Sequence, residues 1–281
     1  MLPVGLALAS AALFGAMTVA LRVALLRFPG AALGAVATVL SALAIAVAAA
    51  GIEAVRGEVH LSGAWVFALA GLLAPGGSQI LFTLAVRDAG ASRTSVAVGA
   101  APLVSVAIAL VVLGEPAEPG LIVGALLIVA GGLALALDPR RPEHLRRIGL
   151  LYAVAATVLF ATRDNVVRSL SDGDVPPSTA MTTTLVVGLA AALLFARGFP
   201  SPARIRAFAP AGVCFGLSYV FLFEAFFHGR VSVVAPLVAT ESLFGVAFSI
   251  LLLRRTELVG LRLVLGALLI FAGGVLIGLS R

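Results

Sequence analysis

Long apolar stretches divided by short polar punctuation make up almost the whole chain. Each stretch has about 20 residues, the length an α-helix needs to cross a bilayer, and none shows the two-residue alternation of a barrel strand. The pattern predicts ten transmembrane helices, at residues 2-23, 31-51, 63-86, 91-113, 118-137, 148-168, 178-197, 207-227, 231-253 and 257-279. The first is read as a spanning helix and not as a cleaved signal, because Leu2 to Leu21 is apolar for a full crossing. Between the helices, Arg27-Phe28-Pro29-Gly30, the segment from Glu53 to Ser62, Arg87-Asp88-Ala89-Gly90 and Gly114-Glu115-Pro116 combine charge with turn formers. The longest polar link, Asp138 to Arg147, falls at the middle of the 281 residues.

One stretch occurs twice. Gly124-Ala125-Leu126-Leu127-Ile128-Val129-Ala130-Gly131-Gly132 returns 142 residues later as Gly266-Ala267-Leu268-Leu269-Ile270-Phe271-Ala272-Gly273-Gly274. In the first and sixth helices, Leu13-Phe14 and Arg22 match Leu159-Phe160 and Arg168 at a spacing of 146. A spacing that drifts while the matches keep their order is what duplication of a multi-helix unit leaves behind. The chain therefore divides into a first five-helix repeat at 1-137, a linker at 138-147 and a second five-helix repeat at 148-281. An odd number of crossings per repeat makes the second enter the membrane from the opposite side. The expected fold is an all-α polytopic membrane protein of two inverted five-helix repeats, the arrangement that opens a midplane site first to one face and then to the other.

Composition agrees and removes alternatives. The chain is 61% hydrophobic and 11% charged, against about 25% charge in an ordinary soluble domain. All 19 Lys+Arg residues are arginine, so a lysine Schiff base is excluded. The single cysteine, Cys214, can form neither an internal disulfide nor a cysteine metal site. The arginines behind the net charge of +6 lie between apolar runs, where they set topology, so no nucleic-acid partner is expected. No Walker loop, dinucleotide fingerprint, HExxH or nucleophile elbow occurs, and neither an enzyme nor a metal or cofactor is expected.

Polar residues inside the spans are candidates for function. Glu241 lies about ten residues into the ninth helix, about 15 Å deep. A carboxylate there is costly unless paired or protonated, which makes Glu241 a coupling candidate as well as a substrate ligand. Arg163-Asp164-Asn165 stands in the sixth helix where the first has Met17-Thr18-Val19. Arg163 can hold a carboxylate through its guanidinium, and Asp164 can equally form a salt bridge with Arg168 one turn on; both readings stand. In the third helix Ser78, Gln79 and Thr83 share one face after the breaker Pro75-Gly76-Gly77, which is a binding site at an unwound helix or a packing kink, with Pro75 as a hinge. The eighth helix offers Ser218, Tyr219, Phe223 and Glu224. Tyr219 and Phe223 are assigned to substrate contact, with helix packing as the alternative, and Phe14, Thr18 and Asn165 complete the predicted lining. The GxxxG pairs Gly120/Gly124, Gly212/Gly216 and Gly274/Gly278 suit close packing within the bundle, so a monomer is expected.

Five-helix halves, Glu115 or Glu257 just before each terminal helix, and the repeated Gly-Ala-Leu-Leu-Ile-x-Ala-Gly-Gly helix resemble the drug/metabolite transporter superfamily, specifically its ten-helix EamA-type exporters. Pro102 followed by Gly114-Glu115 matches the family pattern in the first half. The second half departs from it, with Ser242 or Phe244 near the proline position, Glu241 close by, and Arg255-Thr256-Glu257 in place of the Gly-Glu pair. The resemblance implies a hinge at Pro102 and a cavity among the first, third, fourth, sixth, eighth and ninth helices. It also implies export of amino acids, other metabolites or drugs, facilitated or proton-coupled, with amino-acid exporters of the YddG type as one subgroup. The expected function is a secondary transporter exporting small metabolites, chiefly amino acids, across a cell inner or plasma membrane. A lipid-linked-sugar flippase, a drug efflux carrier and a membrane-embedded enzyme are the alternatives.

Orientation divides the two lines of reasoning. With a cytoplasmic N-terminus, 14 of the 19 arginines fall on the outer side, so the positive-inside rule puts both termini outside. The resemblance implies both inside, and a reporter fused to the C-terminus separates the two.

Overall fold

The computed structural model describes residues 2–55, 62–104, 107, 118–137, 146–171, 174–229, 234, 237–253 and 260–279. Regular structure among the described residues is entirely helical. The helices are α1 (Leu2–Arg27), α2 (Ala31–Val55), α3 (Ala64–Ala89), α4 (Ala91–Val98), α5 (Pro119–Ala136), α6 (Ile148–Leu170), α7 (Pro177–Ala196), α8 (Pro202–His228), α9 (Glu241–Leu252) and α10 (Leu261–Leu279). Of these, α1, α2, α3, α6, α7 and α8 are long and apolar enough to cross a membrane, whereas α5, α9 and α10 are apolar but shorter. Gly114-Glu115-Pro116, Arg255-Thr256-Glu257 and residues 138–145 of the linker lie outside the described residues.

Contacts sort the helix ends into two faces. On one, Gly229 after α8 meets Pro3 of α1, Glu53 near the end of α2 accepts a hydrogen bond from Ser178 at the start of α7, and Gly63 before α3 meets Val175 before α7. On the other, Arg22 of α1 donates to the carbonyl of Arg87 near the end of α3 (3.0 Å), and the Arg146 amide before α6 donates to the Asp88 carbonyl (2.5 Å). Arg204 of α8 lies over the Phe28 ring (5.6 Å), and Arg262 of α10 donates to the carbonyl of Leu137 after α5 (3.0 Å). We call the first the amino-terminal face and the second the arginine-rich face. Several of the arginines that weigh on topology thus also fasten helix ends together. α1 begins at the amino-terminal face and α6 at the arginine-rich one, so these matched helices run in opposite directions.

Packing repeats between the halves. α1 packs on α8 as α6 packs on α3, and α2 packs on α8 as α7 packs on α3. α5 packs chiefly on α10, and here the twin glycine stretches meet: a Cβ on Gly131 would lie 2.6 Å from the Gly266 carbonyl oxygen, and one on Gly124 2.8 Å from that of Gly273. The opening glycine of each copy meets the first glycine of the closing pair in the other, Gly124 with Gly273 and Gly266 with Gly131, so the two helices are antiparallel, and only glycine permits backbones this close.

Three departures from the predicted helices have local causes. α8 starts at Pro202, five residues earlier than expected, because the Ser201 hydroxyl caps the Arg204 amide (3.3 Å) and proline suits the first helical position. α3 is broken inside, with a widened turn at Leu72–Gly77 and an extended Ala74 (φ −146°, ψ 121°). Pro75 supplies no N–H and pushes the residue before it out of the helical region. The fourth and ninth predicted spans are interrupted by the same tight turn. Ala100 and Leu103 donate to Ala97 and Ala100 (3.2 and 3.0 Å), and 140 positions later Thr240 and Leu243 donate to Leu237 and Thr240 (3.1 and 2.9 Å).

Candidate functional site

The polar residues that meet in the bundle interior come from α1, α6, α8 and α9. They line a cavity of about 30 Å³, room for one or two waters and for no metabolite. Arg163 and Tyr219 lie about 10–14 Å below the amino-terminal face, counting 1.5 Å per residue from the ends of α6 and α8. Apolar lining comes in matched pairs from the two halves, Phe14 with Phe160 and Val98 with Val238. The polar lining does not. Arg163, Asp164, Ser218, Tyr219 and Glu241 all belong to the second half, and Ala101 stands where the 140-residue register of the tight turns places the counterpart of Glu241. Ser10 is the polar contribution of the first half to this lining.

Arg163 is 3% exposed and its guanidinium lies over the Tyr219 ring (4.6 Å) and at the edge of range of Phe160 (5.9 Å). Its Nε is 2.8 Å from Asp164 Oδ1, but the N–H does not point along that line, so the contact is an ion pair without a hydrogen bond. Arg163 Nη1 and the Tyr219 hydroxyl are buried with no hydrogen-bond partner. Such donors are expensive to leave unmade, and here they aim at the same small space as the Glu241 carboxyl, which is 6% exposed. Ser10 and Ser218 close the wall between α1 and α8: their hydroxyls are 3.0 Å apart, and Ser218 Oγ also donates to the Ser10 carbonyl (3.0 Å). Edge-to-face contacts of Phe14 with Phe82 (5.3 Å), Phe160 (5.8 Å) and Phe215 (6.4 Å) form an aromatic plug beside the charged groups.

The structure thus brings together Phe14, Arg163, Tyr219 and Glu241 of the predicted lining. Phe223, whose ring is 5.8 Å from Tyr219, faces instead a pocket of about 180 Å³ at the amino-terminal face, with Glu53, Ser178 and Glu224. Thr18, Thr83 and Asn165 do not line the cavity. Each returns a hydrogen bond to its own helix, to the carbonyls of Phe14 (2.9 Å), Gln79 (2.7 Å) and Ala161 (2.8 Å). Ser78 and Gln79 are fully buried beside the α3 break and also lie off the cavity. Pro75 marks that break, packed where a Cβ on Gly188 of α7 would touch its ring at 2.5 Å, and Pro102 follows the α4 turn. Polar and aromatic lining residues outside the predicted set are Ser10, Phe160, Asp164 and Ser218, beside the apolar Val98, Ala101, Leu222 and Val238; Phe160 was readable as the match of Phe14, and Ser10 carried no signal.

A helical bundle with membrane-length apolar spans and charged side chains buried in its interior defines a polytopic membrane protein. The chain belongs to the EamA-like transporter family, which it matches over residues 1–137 and again over 147–279. No curated protein matches the sequence. Among solved structures, a crystal structure described only as that of a "protein" is similar in fold, with a TM-score of 0.61 at 20% identity over 95% of this chain and 96% of that one. Membership makes the chain a multi-pass membrane transporter of small solutes.

Proposed function

We propose that this chain is a secondary carrier that moves amino acids by alternating access between two inverted five-helix repeats, 1-137 and 148-281. Support for the repeats comes from the double family match, the exchange of packing partners between the halves, and the antiparallel α5/α10 pair. A two-fold that swaps antiparallel helices is perpendicular to them and therefore lies in the membrane plane. On this reading the chain crosses ten times, with the described parts of α4, α5, α9 and α10 as the shorter crossings.

The observation that carries the substrate class is the unpartnered Arg163 Nη1 beside Glu241 in one buried space. A guanidinium and a carboxylate together fit the carboxylate and ammonium of a zwitterion, with Tyr219 and the Phe14/Phe160 pair against its side chain. At about 30 Å³ the site is occluded, so substrate enters after the repeats move apart. Glu241 is the group that would couple flux to protons. The resemblance implies export, with the YddG-type amino-acid exporters as one subgroup; the reading places a monomer in a cell inner or plasma membrane.

The test is uptake of labelled L-amino acids into proteoliposomes. Wild-type chain is expected to show saturable flux of at least one of them, and Arg163→Met none, with both proteins eluting as folded monomers. Flux of no amino acid, or undiminished flux in Arg163→Met, would overturn the reading.

A further inference from the structure

Among the buried polar side chains without a hydrogen-bond partner, two are neighbours on α3. Ser78 and Gln79 of α3 are both 0% exposed, and Ser78 Oγ, Gln79 Oε1 and Gln79 Nε2 have no hydrogen-bond partner. A dry primary amide with neither end satisfied is an expensive thing to keep in an apolar bundle.

The 140-residue register set by the tight turns of the fourth and ninth spans lays Ser78 on Ser218 and Gln79 on Tyr219. These counterparts line the central cavity and lie about 15 Å from the amino-terminal face, just as Ser78 and Gln79 lie about 15 Å from the arginine-rich one. Around Ser218 and Tyr219 the protein provides partners: Ser10 bonds Ser218, and the Arg163 guanidinium covers the Tyr219 ring. At the 146-residue spacing of α1 and α6, the counterpart of Ser10 is Ala156 and the counterpart of Arg163 is Met17. Both are buried; the alanine has no polar atom, and the methionine thioether is a weak acceptor with no proton to donate. The first half has kept the polar pair on α3 and lacks the side chains that would satisfy it.

We propose that Ser78 and Gln79 form a second, uncharged station on the transport path, the counterpart of the Ser218/Tyr219 station for the arginine-rich face. There the polar head of the solute supplies what the protein does not: its ammonium or amide donates to Gln79 Oε1, and its carboxylate accepts from Gln79 Nε2 and Ser78 Oγ. The break at Ala74 and Pro75, one turn before Ser78, falls where α8 runs unbroken through Cys214 and Phe215. It lets the Ser78–Ala89 segment tilt away from α6 independently of the start of α3. An uncharged station opposite a charged one gives the solute tight binding on one side and easy release on the other. This inference rests on the carrier reading above.

The test uses Ser78→Cys in a Cys214→Ser background, reconstituted in liposomes of known orientation and exposed to an impermeant cationic methanethiosulfonate from either side. Modification is expected from the arginine-rich side alone, slowed by saturating L-phenylalanine. In a companion variant, Gln79→Leu, L-phenylalanine binding by calorimetry should stay within about twofold while flux falls about tenfold, the loss of one hydrogen bond made during passage. If Gln79→Leu fails to fold, labelling of Ser78→Cys decides alone. A transporting Ser78→Cys protein that stays unmodified from both sides, or a Gln79→Leu protein with wild-type flux, overturns the station and leaves the carrier reading intact. Absence of flux from the wild type overturns both.

Discussion

The α5/α10 pair and the central cavity treat the matching positions of the two halves in opposite ways. In α5 and α10 the two copies stay nearly identical, and Gly124, Gly131, Gly266 and Gly273 each face the backbone of the other copy, so that any change there is felt on both sides of the contact. At the cavity the copies keep their apolar members, Phe14 with Phe160 and Val98 with Val238, and part company in charge, with Met17 against Arg163 and Ala101 against Glu241. Symmetry survives where two helices must touch backbone to backbone. It is given up at the cavity, where the charged lining comes from the second half alone, as the proposed carrier reading requires of a site that holds an asymmetric solute by one end.

The contrast can be broken from either side. Arg163→Met makes the sixth helix resemble the first, and should reduce amino-acid flux in proteoliposomes by about a thousandfold, the scale of losing a buried charge-assisted contact. The variant also takes the ion-pair partner from Asp164, so its Tm in detergent is measured alongside and flux is compared per folded molecule. In the glycine pair, Gly131→Leu puts a branched side chain against the Gly266 carbonyl. We expect a loss of about 2–3 kcal/mol of stability, seen as a lower Tm in detergent, whereas flux per folded molecule should change little. Glu241→Gln should abolish the pH dependence of flux and lower the rate about tenfold; the double variant Ala101→Glu, Glu241→Ala, which moves the carboxylate to the matched position, should restore pH dependence. Unchanged pH dependence in Glu241→Gln would show that the coupling group lies elsewhere. Ser10→Ala removes one hydroxyl from the α1/α8 wall, while Ser218 keeps the Ser10 carbonyl, so the expected loss is under about 1 kcal/mol with flux within twofold.

Much of the molecule was legible before any tertiary contact was known. Apolar run length predicted α1, α2, α3, α6 and α7 to within a few residues, and the breakers at Arg27-Phe28-Pro29-Gly30 and Arg87-Asp88-Ala89-Gly90 fall where those helices end. α8 was predicted short because Arg204 and Arg206 were read as loop, although Ser201-Pro202 begins a helix on its own. The tight turns in the fourth and ninth spans were not legible, since Val98-Gly99-Ala100 and Val238-Ala239-Thr240 carry neither charge nor proline and are compatible with an uninterrupted helix.

The candidate site divides along the same line. Arg163 and Glu241 stood out because charge is rare in a span. Thr18, Thr83 and Asn165 are equally polar on paper, yet a short hydroxyl or amide in a helix can satisfy itself on the carbonyl four residues back, and these three do so. The sequence by itself determined the helical, lipid-solvated class and the twin stretches with their spacings of 142 and 146, because each of these is a local or periodic property of the chain. Which polar groups meet, and that they meet on the side of the amino-terminal face in a space of about 30 Å³, was decided only by the tertiary structure. Hydropathy sets where a helix lies along the membrane normal, but its rotation about its own axis is set by the neighbours it packs against.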